Sequence, residues 1–253
     1  MKHYRKKKVK RRRSMLFLTC LIFLIVLVYI FLFSSLFKIK AVEVFGNREV
    51  NSEEVKNSFS YGNIFLTTEN KVKNDLIKII PKISDLEISK NLIKRSVKLT
   101  IEERERLGIA CIMDSSSAEA VEEECFYVDK KGVIFEDAPQ TSGSLILLIK
   151  DYSQREFYLG KKIFEQRIVD FISQARQGLS SEIGLIALDF NVLSFPPKDL
   201  KVMTNEGWYI IFDLEGDIKN QLRSIGAALE EKIKDRESLE YVDLRIENRI
   251  YYK

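Results

Sequence analysis

The chain contains one histidine, His3, and it lies within a basic run at the start of the sequence. That placement excludes a His-based catalytic triad and a His-Glu-x-x-His zinc site, and no Gly-rich phosphate loop is present. A Ser–Lys dyad needs no histidine. Serines and lysines are common here, but no pair stands in a recognisable catalytic context. The stretch Asp114–Glu124, DSSSAEAVEEE, gathers Glu119 and Glu122–Glu124. Calcium requires oxygens at set loop spacings, which this run lacks, so it reads as a solvated acidic loop. Of the cysteines, Cys20 falls in an apolar segment, while Cys111 and Cys125 flank the acidic loop on two arms of an expected hairpin. Cross-strand neighbours meet the distance a disulfide needs, and an oxidising compartment would let them pair. A loop-closing disulfide and two buried free thiols are both open at this point. Trp208 follows a turn and precedes an apolar strand, and reads as core packing. These side chains imply no cofactor and no metal, and leave function to contact surfaces.

The element that must position those surfaces is Met15–Phe37, MLFLTCLIFLIVLVYIFLFSSLF, which carries no charge. As a helix it would reach ~34 Å, just over the hydrocarbon thickness of a bilayer. It is apolar all round, unlike a surface helix of a soluble domain. Ahead of it, residues 1–14 hold nine Lys or Arg and no acid. The formal net charge of +4 belongs to this tail, because residues 15–253 carry 32 basic against 37 acidic residues. A basic run beside an apolar span follows the positive-inside rule and favours anionic headgroups. Nucleic-acid binding would need a folded platform or interleaved aromatics, and neither is present. A cleaved signal peptide would have a shorter apolar core and a small-residue cleavage site. The expectation is a transmembrane anchor with its N-terminus inside and residues 38–253 outside.

Those residues read as folded. Lys38–Phe45 is a strand pattern, and Gly46-Asn47 a turn. Ser52 is the expected N-cap of a helix over Glu53–Ser60. Thr67 or Thr68 would cap a second helix, Glu69–Ile80, with Val72, Leu76, Ile79 and Ile80 as its apolar stripe and Pro81 beyond its end. Ile83–Ser89 and Lys94–Arg104 alternate like half-buried strands. Strand, helix, helix, strand, strand is an α+β order. A second unit follows, with strands expected at Gly108–Met113, Cys125–Asp129, Val133–Glu136, Leu145–Ile149, Leu185–Phe190, Leu200–Thr204 and Trp208–Asp213. Helices are expected at Ile163–Gln177 and Asp217–Lys234, and an extended segment of period-two apolarity at Tyr241–Tyr252.

With these elements in order, the chain resembles the FtsQ/DivIB family of bacterial cell-division proteins over nearly its whole length. The resemblance rests on the basic tail and anchor, and on Ile39, Val42, Val44, Gly46 and Asn47. It continues through Gly62-Asn63-Ile64-Phe65, Glu103-Arg104, Val128-Asp129-Lys130-Lys131-Gly132-Val133-Ile134-Phe135 and Tyr241-Val242-Asp243-Leu244-Arg245. The chain departs from the family where Arg106 replaces a proline after Glu-Arg, and where Asn91–Lys94 lacks one. The resemblance implies a tail over 1–14, an anchor over 15–37, a POTRA domain over 38–105 and a mixed-sheet β domain with flanking helices over 106–253. It implies a non-enzymatic scaffold of the cytoplasmic membrane, enriched at the septum. Its partners would be FtsB/FtsL-type coiled-coil proteins at the last strands and other divisome proteins at the POTRA domain.

A terminal strand leaves a sheet edge open to strand addition. Arg245 is the expected charge partner for an incoming carboxylate, with Ile246, Ile250 and Tyr251 as apolar contacts. Tyr241, Asp243 and Asn248 complete the candidate surface. Two other readings remain: a different POTRA-bearing envelope assembly or secretion factor, and a membrane-anchored peptidase or wall hydrolase.

Overall fold

The computed structural model of the chain describes residues 2–114, 121–247 and 249–253. Contacts divide it into two compact units, Met1–Glu103 and Arg104–Lys253.

In the first unit, α1 runs from Lys2 to Phe33. Its segment Met15–Phe33 is long and apolar enough to cross a membrane. The helix stops four residues short of Phe37, because Ser34 turns extended and its hydroxyl accepts from the Leu36 N–H at 3.1 Å. Ser35–Phe37 is a single 3-10 turn. Then come β1 (Ala41–Phe45), α2 (Ser52–Ser58), α3 (Glu69–Ile79), β2 (Ile83–Asn91) and β3 (Ser96–Glu103). The sheet order is β1-β3-β2, with β1 parallel and β2 antiparallel to β3. Val42, Leu86, Val97, Leu99 and Ile101 point from it into one core with Val55 and Leu76 of the helices. Two local expectations need correction. Asn51, not Ser52, caps α2, accepting from Glu53 N at 2.8 Å. Ile79 lies exposed, outside the stripe of α3.

The turn after β1 is built on Gly46 and Glu103. Gly46 sits at φ +80°, and a Cβ there would come within 2.4 Å of the Ile101 carbonyl oxygen. The turn then presents three backbone N–H groups, of Arg48, Glu49 and Val50, to the Glu103 carboxylate at 2.6–3.0 Å. Burial opposes ionisation of Glu103, but the N–H groups of Val50, Arg48 and Glu49 outweigh it and hold its pKa below the ordinary value. A depressed pKa stabilises the fold above the unfolded-state value of about 4.3, and that stability is lost as pH falls through the folded-state value. Glu103→Gln should therefore destabilise this unit by about 1–3 kcal/mol at neutral pH and speed amide exchange at residues 48–50. The gap to wild type should close in acid below that carboxylate range. Equal exchange rates at neutral pH would contradict this role.

The second unit holds β4 (Gly108–Asp114), β5 (Val121–Val128), β6 (Ile134–Asp137), β7 (Leu147–Asp151), α4 (Gln166–Gly178), β8 (Ala187–Val192), β9 (Asp199–Thr204), β10 (Tyr209–Asp213), α5 (Ile218–Glu231), β11 (Tyr241–Asp243) and β12 (Tyr251–Tyr252). Among the described residues, its strands form one mixed sheet ordered β12-β11-β10-β9-β8-β7-β4-β5-β6. Alternation assigns the faces. Ala110, Val128, Ile149, Phe190, Val202, Ile210 and Val242 meet α4 and α5 in the main core. Ile109, Cys111, Cys125 and Leu148 form a smaller cluster on the opposite face. Cys111 and Cys125 are cross-strand partners and are joined by a disulfide. The acidic segment is shorter as a loop than expected. Glu122–Glu124 continue β5, and Glu119 lies outside the described residues. Leu145 is exposed ahead of β7 rather than part of it. Trp208 is fully buried, its indole N–H donating to Glu206 at 3.0 Å.

The hairpin Val128–Phe135 is closed by its own carboxylate. Asp129 Oδ1 accepts from Lys131 N and Val133 N, both at 2.9 Å, and Oδ2 accepts from Arg104 Nη1 at 2.6 Å. Gly132 sits at φ +79°, and a Cβ there would lie 2.1 Å from the Phe164 carbonyl oxygen.

Candidate interaction surface at the C-terminal sheet edge

β9 turns into β10 through Asn205–Gly207, with Gly207 N donating to Thr204 O at 3.2 Å. α5 is then capped by Asp217, whose carboxylate accepts from Asn220 N at 2.8 Å. The helix carries the chain back so that β11 lies parallel to β10. A parallel pair needs such a crossover. Val242 faces Ile210 in the core, so Tyr241 and Asp243 fall on the opposite face beside Tyr209 and Ile211.

That face is built from stacked and paired side chains. The rings of Tyr209 and Tyr241 stack at 5.7 Å, and Lys201 Nζ sits 3.7 Å from the Tyr209 ring centre. Arg245 folds back onto its own strand. Its Nε lies 3.0 Å from Asp243 Oδ1, its Nη2 lies 2.7 Å from Oδ2, and its Nη1 reaches Asp199 Oδ2 at 3.3 Å. The Arg245 side-chain bonds lower the Asp243 pKa against the cost of burial, and the same bonds raise that of Arg245. The guanidinium is therefore already paired within the chain while its side chain stays half exposed. An incoming acid would compete with two aspartates.

The expected single strand Tyr241–Tyr252 is two short strands joined by a loop. Leu244 is buried and its N–H donates to Ile211 O at 2.9 Å, which keeps the chain on β10 for one more residue. The loop then turns, with Arg249 N donating to Ile246 O at 3.0 Å. β12 returns antiparallel to β11, pairing Val242 with Tyr252 and Asp243 with Tyr251. Tyr241 and Lys253 exchange backbone bonds at 3.2 and 3.4 Å. Bonded and non-bonded pairs alternate in an antiparallel ladder. Tyr252 is thus a non-bonded position, and its N–H and C=O point away from β11 to the open edge. The loop also walls a cleft of about 360 Å³ against the start of α5, lined by Asp217, Asn220, Ser224, Leu244, Ile246 and Arg249.

The fold gathers Tyr241, Asp243, Arg245, Ile246, Ile250 and Tyr251 in one region, while Asn248 lies outside the described residues. Ile246 and Tyr251 are exposed. Ile250 packs against the main core. Sequence reasoning missed Tyr252, Tyr209, Lys201 and Asp199. The β10–α5–β11 order was a usable signal, since it makes β9 and β10 the neighbours of the last strands.

No family model matches the chain. It is similar to the cell division protein DivIB of Clostridium botulinum strain Hall, at 24% identity over 258 residues, covering 98% of this chain and 95% of that protein. This distant similarity supports the resemblance to the FtsQ/DivIB family.

Proposed function

We propose that the chain is a membrane-anchored, non-enzymatic cell-division scaffold of the FtsQ/DivIB kind. The observation that carries this reading is the similarity to a DivIB protein over 98% of the chain. The charge-free helix segment Met15–Phe33 after a basic tail supports an anchor in the cytoplasmic membrane, with the N-terminus inside. The β-α-α-β-β unit fits a POTRA domain and would meet other divisome proteins. The second unit fits the family's β domain and would take a segment of an FtsB/FtsL-type coiled-coil protein at β12.

β12 is the physical basis for that last step. Among the described residues it is the edge strand, and the outward backbone groups at Tyr252 have no strand beyond them in the sheet order. An added strand would find main-chain partners there and side-chain contacts at Tyr251, Tyr252 and Ile246. The partner, rather than Arg245, would then have to supply charge that suits the Asp243–Arg245–Asp199 set. A fluorescent fusion of the full chain in dividing cells tests the division reading. A band at midcell is expected, and an even distribution around the envelope would overturn it.

A further inference from the structure

The turn between β2 and β3 is built from Leu92, Ile93, Lys94 and Arg95. Hairpin turns ordinarily take Gly, Asn, Asp or Ser, which meet water and tolerate left-handed backbone. Here Lys94 N donates to Asn91 Oδ1 at 2.9 Å, and Arg95 itself adopts φ +53°. The apex carries two aliphatic side chains, Ile93 at 96% and Leu92 at 52% exposure. Neither contributes to the core of its domain.

The position of this apex is fixed against the end of α1. Arg95 Nη1 donates to the Leu36 carbonyl at 3.2 Å, and Lys40 N donates to the Arg95 carbonyl at 2.8 Å. The helix end is also tied to the domain. The Asn63 side-chain amide donates to the carbonyls of Phe31 and Leu32 at 2.8 and 3.1 Å, satisfying acceptors that a helix terminus leaves open. Phe31, Phe37 and Phe65 cluster there, with ring centres 4.9–5.6 Å apart. Leu36 and Leu66 beside them are 64% and 55% exposed.

Depth follows from length. The 19-residue apolar segment Met15–Phe33 reaches ~28 Å as a helix, close to the thickness of the hydrocarbon layer. With that segment in the bilayer, Phe33 stands at the hydrocarbon edge and Leu36 in the headgroup layer. The β2–β3 turn, bonded to Leu36 through Arg95, shares that layer. Lys38, Lys40, Lys94 and Arg95 lie on the same stretches of chain, where anionic headgroups attract cations.

We propose that the β2–β3 hairpin is a second membrane contact. Leu92 and Ile93 enter the boundary between headgroups and acyl chains of the bilayer that α1 crosses, and the flanking Lys and Arg side chains bind anionic headgroups. This rests on reading α1 as a span. Two contacts, the helix and the hairpin, fix the orientation of the first domain on the lipid surface, where one helix alone would leave rotation about its exit point.

The test uses the full chain with Cys20→Ser, leaving the Cys111–Cys125 disulfide intact, in nanodiscs of equal parts phosphatidylcholine and phosphatidylglycerol. Ile93→Cys carries an environment-sensitive fluorophore. Glu54→Cys, on α2 past the far end of β1, carries the same label as control. At position 93 the emission should shift to the blue, be quenched by a lipid-borne shallow nitroxide and resist aqueous iodide, with the reverse at position 54. A label at 93 that iodide quenches as readily as the control overturns the proposal. Discs of phosphatidylcholine alone should weaken the nitroxide quenching at 93, and equal quenching in both lipids overturns the headgroup contact. Failure of the chain to incorporate into discs would instead refute the span itself, and midcell localisation is read independently.

Discussion

Asp129→Ala is expected to destabilise the second unit by about 3–5 kcal/mol, the cost typical of removing one partner of a buried ion pair. Arg104 and Asp129 side chains are only 7% and 5% exposed. The aspartate also closes its hairpin through the N–H groups of Lys131 and Val133. Truncation to alanine removes all three acceptor roles at once and leaves a guanidinium in the interior. Asp129→Asn should cost less, since Oδ1 can still accept from both backbone donors. Trp208 is the only tryptophan in the chain and is fully buried in this unit, so its fluorescence reports the unit's unfolding directly. A chain whose melting by Trp208 fluorescence is unchanged in Asp129→Ala would contradict this assignment.

The second large effect is expected at the sheet edge. Tyr252→Pro should weaken capture of a coiled-coil division partner by roughly tenfold or more, as loss of an interface hot spot does. The reasoning lies in the ladder. The Tyr252 N–H points outward, so proline there costs β12 no internal bond and fits the edge-strand rule for proline. It removes one donor that an added strand would use. Tyr252→Ala removes the ring and keeps the donor, so the difference between the two variants isolates the backbone contribution. Tyr251 differs, because it is paired with Asp243 as a bonded position, and proline there would damage the sheet itself.

Much of the fold could be read from residue types. Alternation at Val97, Leu99 and Ile101 placed β3, and the helical spacing of Ile218, Leu222, Ile225 and Leu229 placed α5. What alternation could not show was the break inside Tyr241–Tyr252. That segment keeps an apolar period across the loop, and no Gly or Pro marks the turn. The break is set by Leu244 holding to Ile211 while Asp243 captures Arg245, a pair that only the parallel β10–β11 register brings beside Asp199. The cap of α2 was ambiguous for a simpler reason: Asn51 and Ser52 are adjacent and both cap well. The early end of α1 was hidden because Ser34–Phe37 stays apolar enough to extend the span. Its stop depends on Asn63, some thirty residues away, accepting the role of terminal donor. The Glu103 and Asp129 motif positions were visible as a pattern, but their common logic was not. Each carboxylate closes a turn by binding backbone N–H groups.

The proposed strand addition at β12 by a division partner can be tested directly. The most direct measurement is the affinity of the full chain in nanodiscs for an FtsB/FtsL-type partner, compared among wild type, Tyr252→Ala and Tyr252→Pro, with Trp208 fluorescence confirming the fold of each. Strand addition predicts that Tyr252→Pro binds roughly tenfold more weakly than Tyr252→Ala, a gap of about 1.4 kcal/mol. Equal affinities for the alanine and proline variants would contradict it, because the outward N–H would then make no contact with the partner.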